Sequence, residues 1–395
     1  MQIAAALRRH GWSDPITIAT DEPHAPYQRP PLSKGYLLGR LEADALALRP
    51  ADFYPSEGIT LRRSTRVVDA RPASGAAGGV ALTETGESIR YDRLALATGA
   101  RPRRLSLPGA ELDGICYLRD LDDAARIRRR LPSAHRVLVI GGGFIGLEAA
   151  AAARGLDRPV TVVEATDRLL ARVVGPTLSD FYAAAHRRRG TEVRLGTGVT
   201  RFDGEQGRVT GAYLSDGTWQ PADLVLVGVG AQPNVELAQT LGLRCDNGIV
   251  VDEFARTSDP AVVAAGDCVS TPHPGAGPGR VRFESVGHAM DHAACAAATI
   301  AGTPKAYDAV PWFWSDQDTL KLQIIGLSAG YDQTVRRGDP EHERFSVFYY
   351  RVGRLLAVEA VNSPRDSMAV RRALSAGQSI PASRVADPDD ALRPD

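Results

Sequence analysis

The chain has 395 residues, too many for one ordinary domain, and two or three are expected. With 44% hydrophobic and 24% charged residues it has the composition of a soluble globular protein, which excludes global disorder. Lys+Arg and Asp+Glu are equal at 47 each, which argues against a nucleic-acid binder that works by bulk charge.

Residues 2–10 read as a helix stopped by Gly11, and Ile16–Ala19 as a short strand. A proline-dense loop, Asp21 to Lys34, follows. Strand-like stretches occupy 59–68 and 79–83. Leu94–Ala97 runs into Thr98-Gly99, a strand-to-turn signal. An Arg-rich helix over 119–131 precedes a strand at Arg136–Ile140, then Gly141-Gly-Gly-Phe-Ile-Gly146 and an alanine-rich helix ending at Gly155. Val160–Glu164 is the next strand, 177–189 another helix, and strands recur at 191–195, 208–214 and 223–229. Strands at 247–252 and 261–265 follow, the second leading into Gly266-Asp267, then a helix over 285–301. Beyond Pro311 the pattern changes to strands at 319–325, 345–350 and 354–361 and a helix over 364–376. The Pro/Ala/Asp-rich tail, 379–395, is expected to be disordered. Strands alternating with helices over the first 300 residues or so predict α/β layers with parallel sheets. The remainder predicts a separate α+β unit.

No apolar run approaches the ~18 residues of a membrane span, and the first ten residues lack the order of a signal peptide, so the cytoplasm is the expected location. Cys116, Cys245, Cys268 and Cys295 lie far apart with no Cys-x-x-Cys. That disfavours a metal site, a disulfide framework and a dithiol redox pair.

The strongest motif is Gly141-x-Gly143-x-x-Gly146, between a strand and a helix, with Glu164 closing the next strand. The glycines allow a tight turn and close backbone approach, the helix start faces a pyrophosphate, and the carboxylate takes an adenosine ribose hydroxyl. A carboxylate there repels a 2′-phosphate, so NAD is expected over NADP, although Arg168 stands where an arginine could accommodate one. Glu148, early in the same helix, is either a ligand residue or a complement to the helix dipole.

Six segments in order carry a family resemblance: Asp21-Glu22-Pro23 through Tyr27-Gln-Arg29-Pro-Pro-Leu-Ser-Lys34; Ala97-Thr98-Gly99-Ala100 with Pro102-Arg103; the Gly141–Gly146 loop with Glu164; Ala265-Gly266-Asp267; Phe313-Trp314-Ser-Asp-Gln317; and Ala360-Val-Asn362. Over nearly its whole length the chain resembles the NADH-dependent ferredoxin reductases of bacterial oxygenase systems, two-dinucleotide flavoproteins of the putidaredoxin reductase type. The resemblance implies two Rossmann-like dinucleotide-binding domains and a C-terminal α+β domain. It implies a discontinuous FAD domain (1–109 and 226–305), an NAD domain (110–225) and a reductase domain (306–378). Asp21 or Glu22 would bind the FAD ribose. Arg29 and Lys34 would lie near FAD, Lys34 close to the flavin ring. Thr98, Gly99, Ala100 and Arg103 would line its site. Gly266 and Asp267 would hold the ribityl chain, Trp314 would sit beside the isoalloxazine, and Glu148 would face the nicotinamide amide.

Plainer readings are a surface lysine for Lys34, a core residue for Trp314 and a helix cap for Asp267. The strand and Gly-x-Gly-x-x-Gly that the family places before its first helix have no counterpart in this sequence. The expected FAD sheet therefore lacks its first strand. Val286 and His288 also depart from the family pattern, and His288 reads as a polar helix residue.

The implied reaction passes a hydride from NADH to flavin, then single electrons to a ferredoxin-type iron–sulfur protein. Arg280 and Arg282 are the first choice for its docking, among Arg62-Arg63, Arg126–Arg130 and Arg187–Arg189. The competing readings are an NAD-binding sensor without flavin, and a flavin enzyme with a different electron acceptor.

Overall fold

The computed structural model describes residues 1–72, 78–387 and 390–393. Its centre is a five-stranded parallel sheet in the order Thr191–Arg194, Val160–Val163, Val137–Ile140, Leu224–Val227, Ile115–Tyr117. The three inner strands, Val-Thr-Val-Val, Val-Leu-Val-Ile and Leu-Val-Leu-Val, are buried along their whole length. Such unbroken β-branched and leucine runs suit strands covered on both faces. One cover is the helices Phe144–Arg154 and Pro176–Arg188. The other is an antiparallel sheet, Val199–Glu205, Arg208–Leu214 and Trp219–Pro221, whose Phe202 and Val209 join Leu138 and Ile140 in one core.

Two parallel strand pairs form the second α/β part, Ile16–Ala19 with Ile59–Arg62 and Leu94–Leu96 with Val262–Ala264. The helix Gln2–Arg9 buries Ile3, Ala6 and Leu7 against Ala293, Ala296 and Ala297 of the helix Val286–Ile300. The pairing of residues 94–96 with 262–264 returns the chain to its starting layer after the central sheet. The last sheet is antiparallel, in the order Trp312–Gln317, Leu320–Gly326, Arg354–Val361, Arg344–Arg351, Gln333–Asp339, and packs against the helix Pro364–Ser375.

The expected strand over 59–68 is two strands, Ile59–Arg62 and Val67–Pro72, because Ser64 takes a left-handed conformation (φ 47). The tail does not fit its expected disorder. Ala382–Ala386 is helical, and Ile380, Val385 and Leu392 are buried in the C-terminal core, while residues 388–389 and 394–395 lie outside the described residues. No helix among the described residues is long and apolar enough to cross a membrane.

The C-terminal sheet shares a core with the central unit, and Phe345 meets Phe181 with ring centroids 4.9 Å apart. At this seam Glu359 is 1% exposed. It accepts from the Gly175 backbone N–H at the start of Pro176–Arg188 (3.1 Å) and from the Tyr349 hydroxyl (2.7 Å). Burial pushes its carboxyl up to about 7 from 4.5, against the lowering effect of those donors and of Arg168. Between those two values the folded chain holds a proton that the unfolded chain has lost. This group's contribution to stability therefore falls as pH rises. Urea unfolding of wild type and Glu359→Gln should show the variant gaining roughly 2 kcal/mol relative to wild type between about pH 5 and pH 8. An unchanged difference would assign the seam no titrating carboxylate.

Candidate active site

The dinucleotide loop follows from steric necessity. Gly141 has φ 103, and a Cβ there would stand 2.4 Å from the Gly228 carbonyl oxygen. A Cβ on Gly146 would stand 2.2 Å from the Gly141 oxygen, so the helix reaches the strand only with glycine here. Gly143 caps the helix Phe144–Arg154 without a side-chain acceptor, leaving its first backbone N–H groups available to a phosphate. Glu164 accepts from the Gly142 N–H (2.7 Å) and from the Thr166 N–H and hydroxyl (both 2.8 Å), which fixes the carboxylate beside the loop. Arg168 does not supply the cation that a 2′-phosphate needs. Its guanidinium donates to the carbonyls of Val174 (2.8 Å) and Ala171 (2.6 Å) and to the Ser179 hydroxyl. The residues present thus suit a dinucleotide with a free ribose hydroxyl.

Glu148, in the second turn of that helix, is 4% exposed. Its Oε2 receives the Lys34 ammonium at 2.7 Å and the Ser33 hydroxyl at 2.5 Å, and its Oε1 the Ser315 hydroxyl at 2.6 Å. Three separate stretches of chain therefore meet on one carboxylate. Lys34 follows the short 3₁₀ turn Pro30–Ser33, whose prolines preset its backbone, and also donates to the Pro30 carbonyl at 3.2 Å. It is a part-buried ion-pair partner here, its side chain 18% exposed, and not a free surface lysine. Ser33 and Ser315 were not singled out in the sequence, although both lie inside its motifs.

On the other side, Thr98-Gly99 and Gly266-Asp267 follow the parallel strands Leu94–Leu96 and Val262–Ala264, which brings both turns to one sheet edge. Burial raises the Asp267 carboxyl above its ordinary range, opposed chiefly by Arg119 at 3.5 Å. A part-buried carboxylate with one long ion pair retains acceptor capacity for a ligand hydroxyl, and this set fits a flavin ribityl chain. Arg119, which sequence reasoning passed over, also lies over Gly99, where a Cβ would meet its guanidinium at 3.1 Å. Arg29 joins the group through the Arg119 carbonyl (2.9 Å) and an ion pair with Glu22, which also accepts from the Tyr27 hydroxyl (2.5 Å). Glu22 is thus engaged, while Asp21 is exposed.

Trp314 stacks on Trp312 with centroids 5.2 Å apart, and Phe313 meets Phe144 of the nucleotide helix at 4.4 Å. Gly287 lets the helix Val286–Ile300 start against this stack, because a Cβ there would lie 2.3 Å from the Trp312 indole nitrogen.

Other residues singled out in the sequence make different contacts. Arg103 is exposed and its backbone N–H donates to the Gly230 carbonyl. Ala100 is buried in the short strand that pairs with Ala231–Pro233, and the Thr98 hydroxyl is spent on the Asn234 carbonyl (2.6 Å). His288 is buried, stacked on His292 at 4.9 Å, with Nδ1 2.8 Å from the Tyr307 hydroxyl. Burial lowers its pKa to about 4, so it is a neutral core residue. Arg280 is tied to the carbonyls of Ser270 and Val251, and Arg282, 12% exposed, pairs with Glu284. The Arg282 charge is thus paired, while Arg280 remains exposed.

Residues 1–293 match the pyridine nucleotide-disulphide oxidoreductase family, and residues 312–394 match the reductase C-terminal family. The chain is 46% identical to rhodocoxin reductase of Rhodococcus erythropolis over 99% of this chain and 91% of that protein. The ferredoxin reductase for the CYP199A2 system of Rhodopseudomonas palustris has a similar structure, with TM-score 0.93, 43% identity, and 98% and 94% of the two chains covered. The reductase in a covalent putidaredoxin reductase–putidaredoxin complex gives TM-score 0.92 at 39% identity over 98% and 93%.

A Gly146→Ala substitution should weaken NADH binding to the full chain at least roughly tenfold, measured by titration calorimetry. Wild-type affinity in this variant would mean that the loop accommodates a Cβ by shifting.

Proposed function

Because the chain belongs to the pyridine nucleotide-disulphide oxidoreductase family, we propose that it acts as an FAD-dependent NADH:ferredoxin oxidoreductase feeding an oxygenase. The observation that carries this reading is the Lys34–Glu148 pair at 2.7 Å, with Glu148 buried where the nucleotide helix, the proline loop and the C-terminal sheet converge. In this reading residues 1–109 with 226–305 hold FAD, 110–225 hold NAD, and 306–378 cover the flavin.

When bound, FAD supplies the conversion of a two-electron hydride donor into single electrons. The chain's own residues orient and insulate. The Gly141–Gly146 loop and Glu164 fix the nicotinamide dinucleotide. Glu148, paired with Lys34, is the acceptor for the nicotinamide amide N–H. Lys34 uses two of its three donors on Glu148 and Pro30, and the third is left for the flavin ring. Asp267 accepts from the ribityl chain, and the Trp312–Trp314 stack shields the ring from water. The four cysteines are free and none forms a redox pair, which fits electron delivery straight from flavin to an external cluster.

The test uses the full chain with added FAD, titrated anaerobically with NADH and then offered a [2Fe–2S] ferredoxin. The flavin band should bleach with NADH and return as the ferredoxin is reduced. A band that does not bleach would sink the reductase reading, and bleaching with electrons passed only to rubredoxin would change the partner. Lys34→Ala, which strands the Glu148 carboxylate, should slow bleaching at least roughly tenfold in stopped-flow absorbance.

A further inference from the structure

Beyond the Lys34–Glu148 pair, a second polar line runs into the same carboxylate from the far side of the molecule. His186, in the helix Pro176–Arg188, places Nε2 2.8 Å from Gln317 Oε1. Gln317 Nε2 stands 3.2 Å from the Ser315 hydroxyl, which lies 2.6 Å from Glu148 Oε1. His186 is 3% exposed, Gln317 1% and Ser315 0%. No ligand role has been assigned above to any of the three.

The direction of every hydrogen bond in this line is fixed by chemistry. A carboxylate that holds an ammonium at 2.7 Å only accepts. The single Ser315 proton therefore goes to Glu148, and the Ser315 oxygen must accept its other bond. The Gln317 –NH₂ must then face Ser315, so its carbonyl faces His186. His186 must donate through Nε2–H. Burial chiefly holds the imidazole below its ordinary pKa and keeps it neutral, although the Gln317 bond opposes this. One tautomer remains.

We propose that His186, Gln317 and Ser315 are positioning residues that aim the Glu148 carboxylate at the nicotinamide, through a one-directional hydrogen-bond line joining the helix Pro176–Arg188 and the C-terminal sheet to the nucleotide helix. The proposal rests on the nicotinamide-facing role given to Glu148 above. The line constrains Oε1, while Lys34 and Ser33 hold Oε2, so the carboxylate plane is fixed from both sides. Loss of Ser315 frees one oxygen to rotate without removing the charge.

The experiment is performed on the full-length chain labelled with ¹⁵N-histidine, with His186→Gln to assign the signal. Two-bond ¹H–¹⁵N correlation spectra should show the Nε2–H tautomer in wild type and a mixture of tautomers in Ser315→Ala. The same Ser315→Ala protein, loaded with FAD, should be reduced by NADH roughly tenfold more slowly. Ser315→Thr, which keeps the hydroxyl, should restore both readouts, and Gln317→Glu, whose carboxylate only accepts, should keep the Nε2–H tautomer but, by removing the donor to Ser315, slow reduction as Ser315→Ala does. An Nδ1–H tautomer in wild type would overturn the proposal, as would a tautomer unmoved by Ser315→Ala. A tautomer that shifts with no change in reduction rate would also overturn it, because the line would then hold no reacting geometry. Glu148→Gln separates the two readings. If it leaves flavin reduction unchanged, the nicotinamide-facing role falls and takes the positioning claim with it, while the wild-type tautomer still reports whether the line exists.

Discussion

A carboxylate removed from water needs charge and hydrogen bonds returned to it, and Glu148 receives both from its neighbours. Its helix alone cannot supply them. Lys34 and Ser33 come from the proline loop, and Ser315 comes from a sheet almost 170 residues later in the chain. The fold around it can be understood as the means of bringing these stretches together. Prolines stiffen the loop that carries Lys34. Glycines let the nucleotide helix start against its strand. Phe313, two residues before Ser315, packs on Phe144 at the helix start and closes the remaining gap. Such a site is costly to assemble, since removing any one partner leaves the others buried without compensation.

Much of this was legible in the sequence because it rests on local rules. Gly141, Gly143, Gly146 and Glu164 obey a spacing set by backbone approach, and the structure places each beside the loop. The strands around Val139 and Val225 alternate with helices, which predicts parallel α/β layers, and the structure buries both strands along their whole length. Lys34, Asp267 and Trp314 came from motifs and not from periodicity. What they touch is a tertiary fact that no motif states.

The misses have physical causes of the same kind. Gln333–Asp339 is assigned no element from the sequence, because this edge strand is mostly polar with few apolar residues, and its pairing with Arg344–Arg351 becomes visible only in three dimensions. The tail looked unstructured by composition, yet Ile380, Val385 and Leu392 each find an apolar niche. Arg282 looked like part of a basic patch, but an arginine run carries no sign of whether a carboxylate such as Glu284 waits nearby. Arg119 was overlooked for the opposite reason, as one arginine in an arginine-rich stretch whose importance comes from standing over Gly99 and beside Asp267.

The core shared between the central sheet's helices and the C-terminal sheet has a consequence for how such proteins diversify. Phe181 and Tyr182 on one side and Phe345, Val347 and Tyr349 on the other are packed as a single interior. Two stretches that match separate families are therefore not interchangeable parts. A C-terminal module transplanted from a relative would arrive with side chains shaped for another helix, and the misfit would lie in the interior that aligns Ser315 with Glu148. Changes in partner preference are thus expected to accumulate on exposed surfaces, where they leave this seam undisturbed.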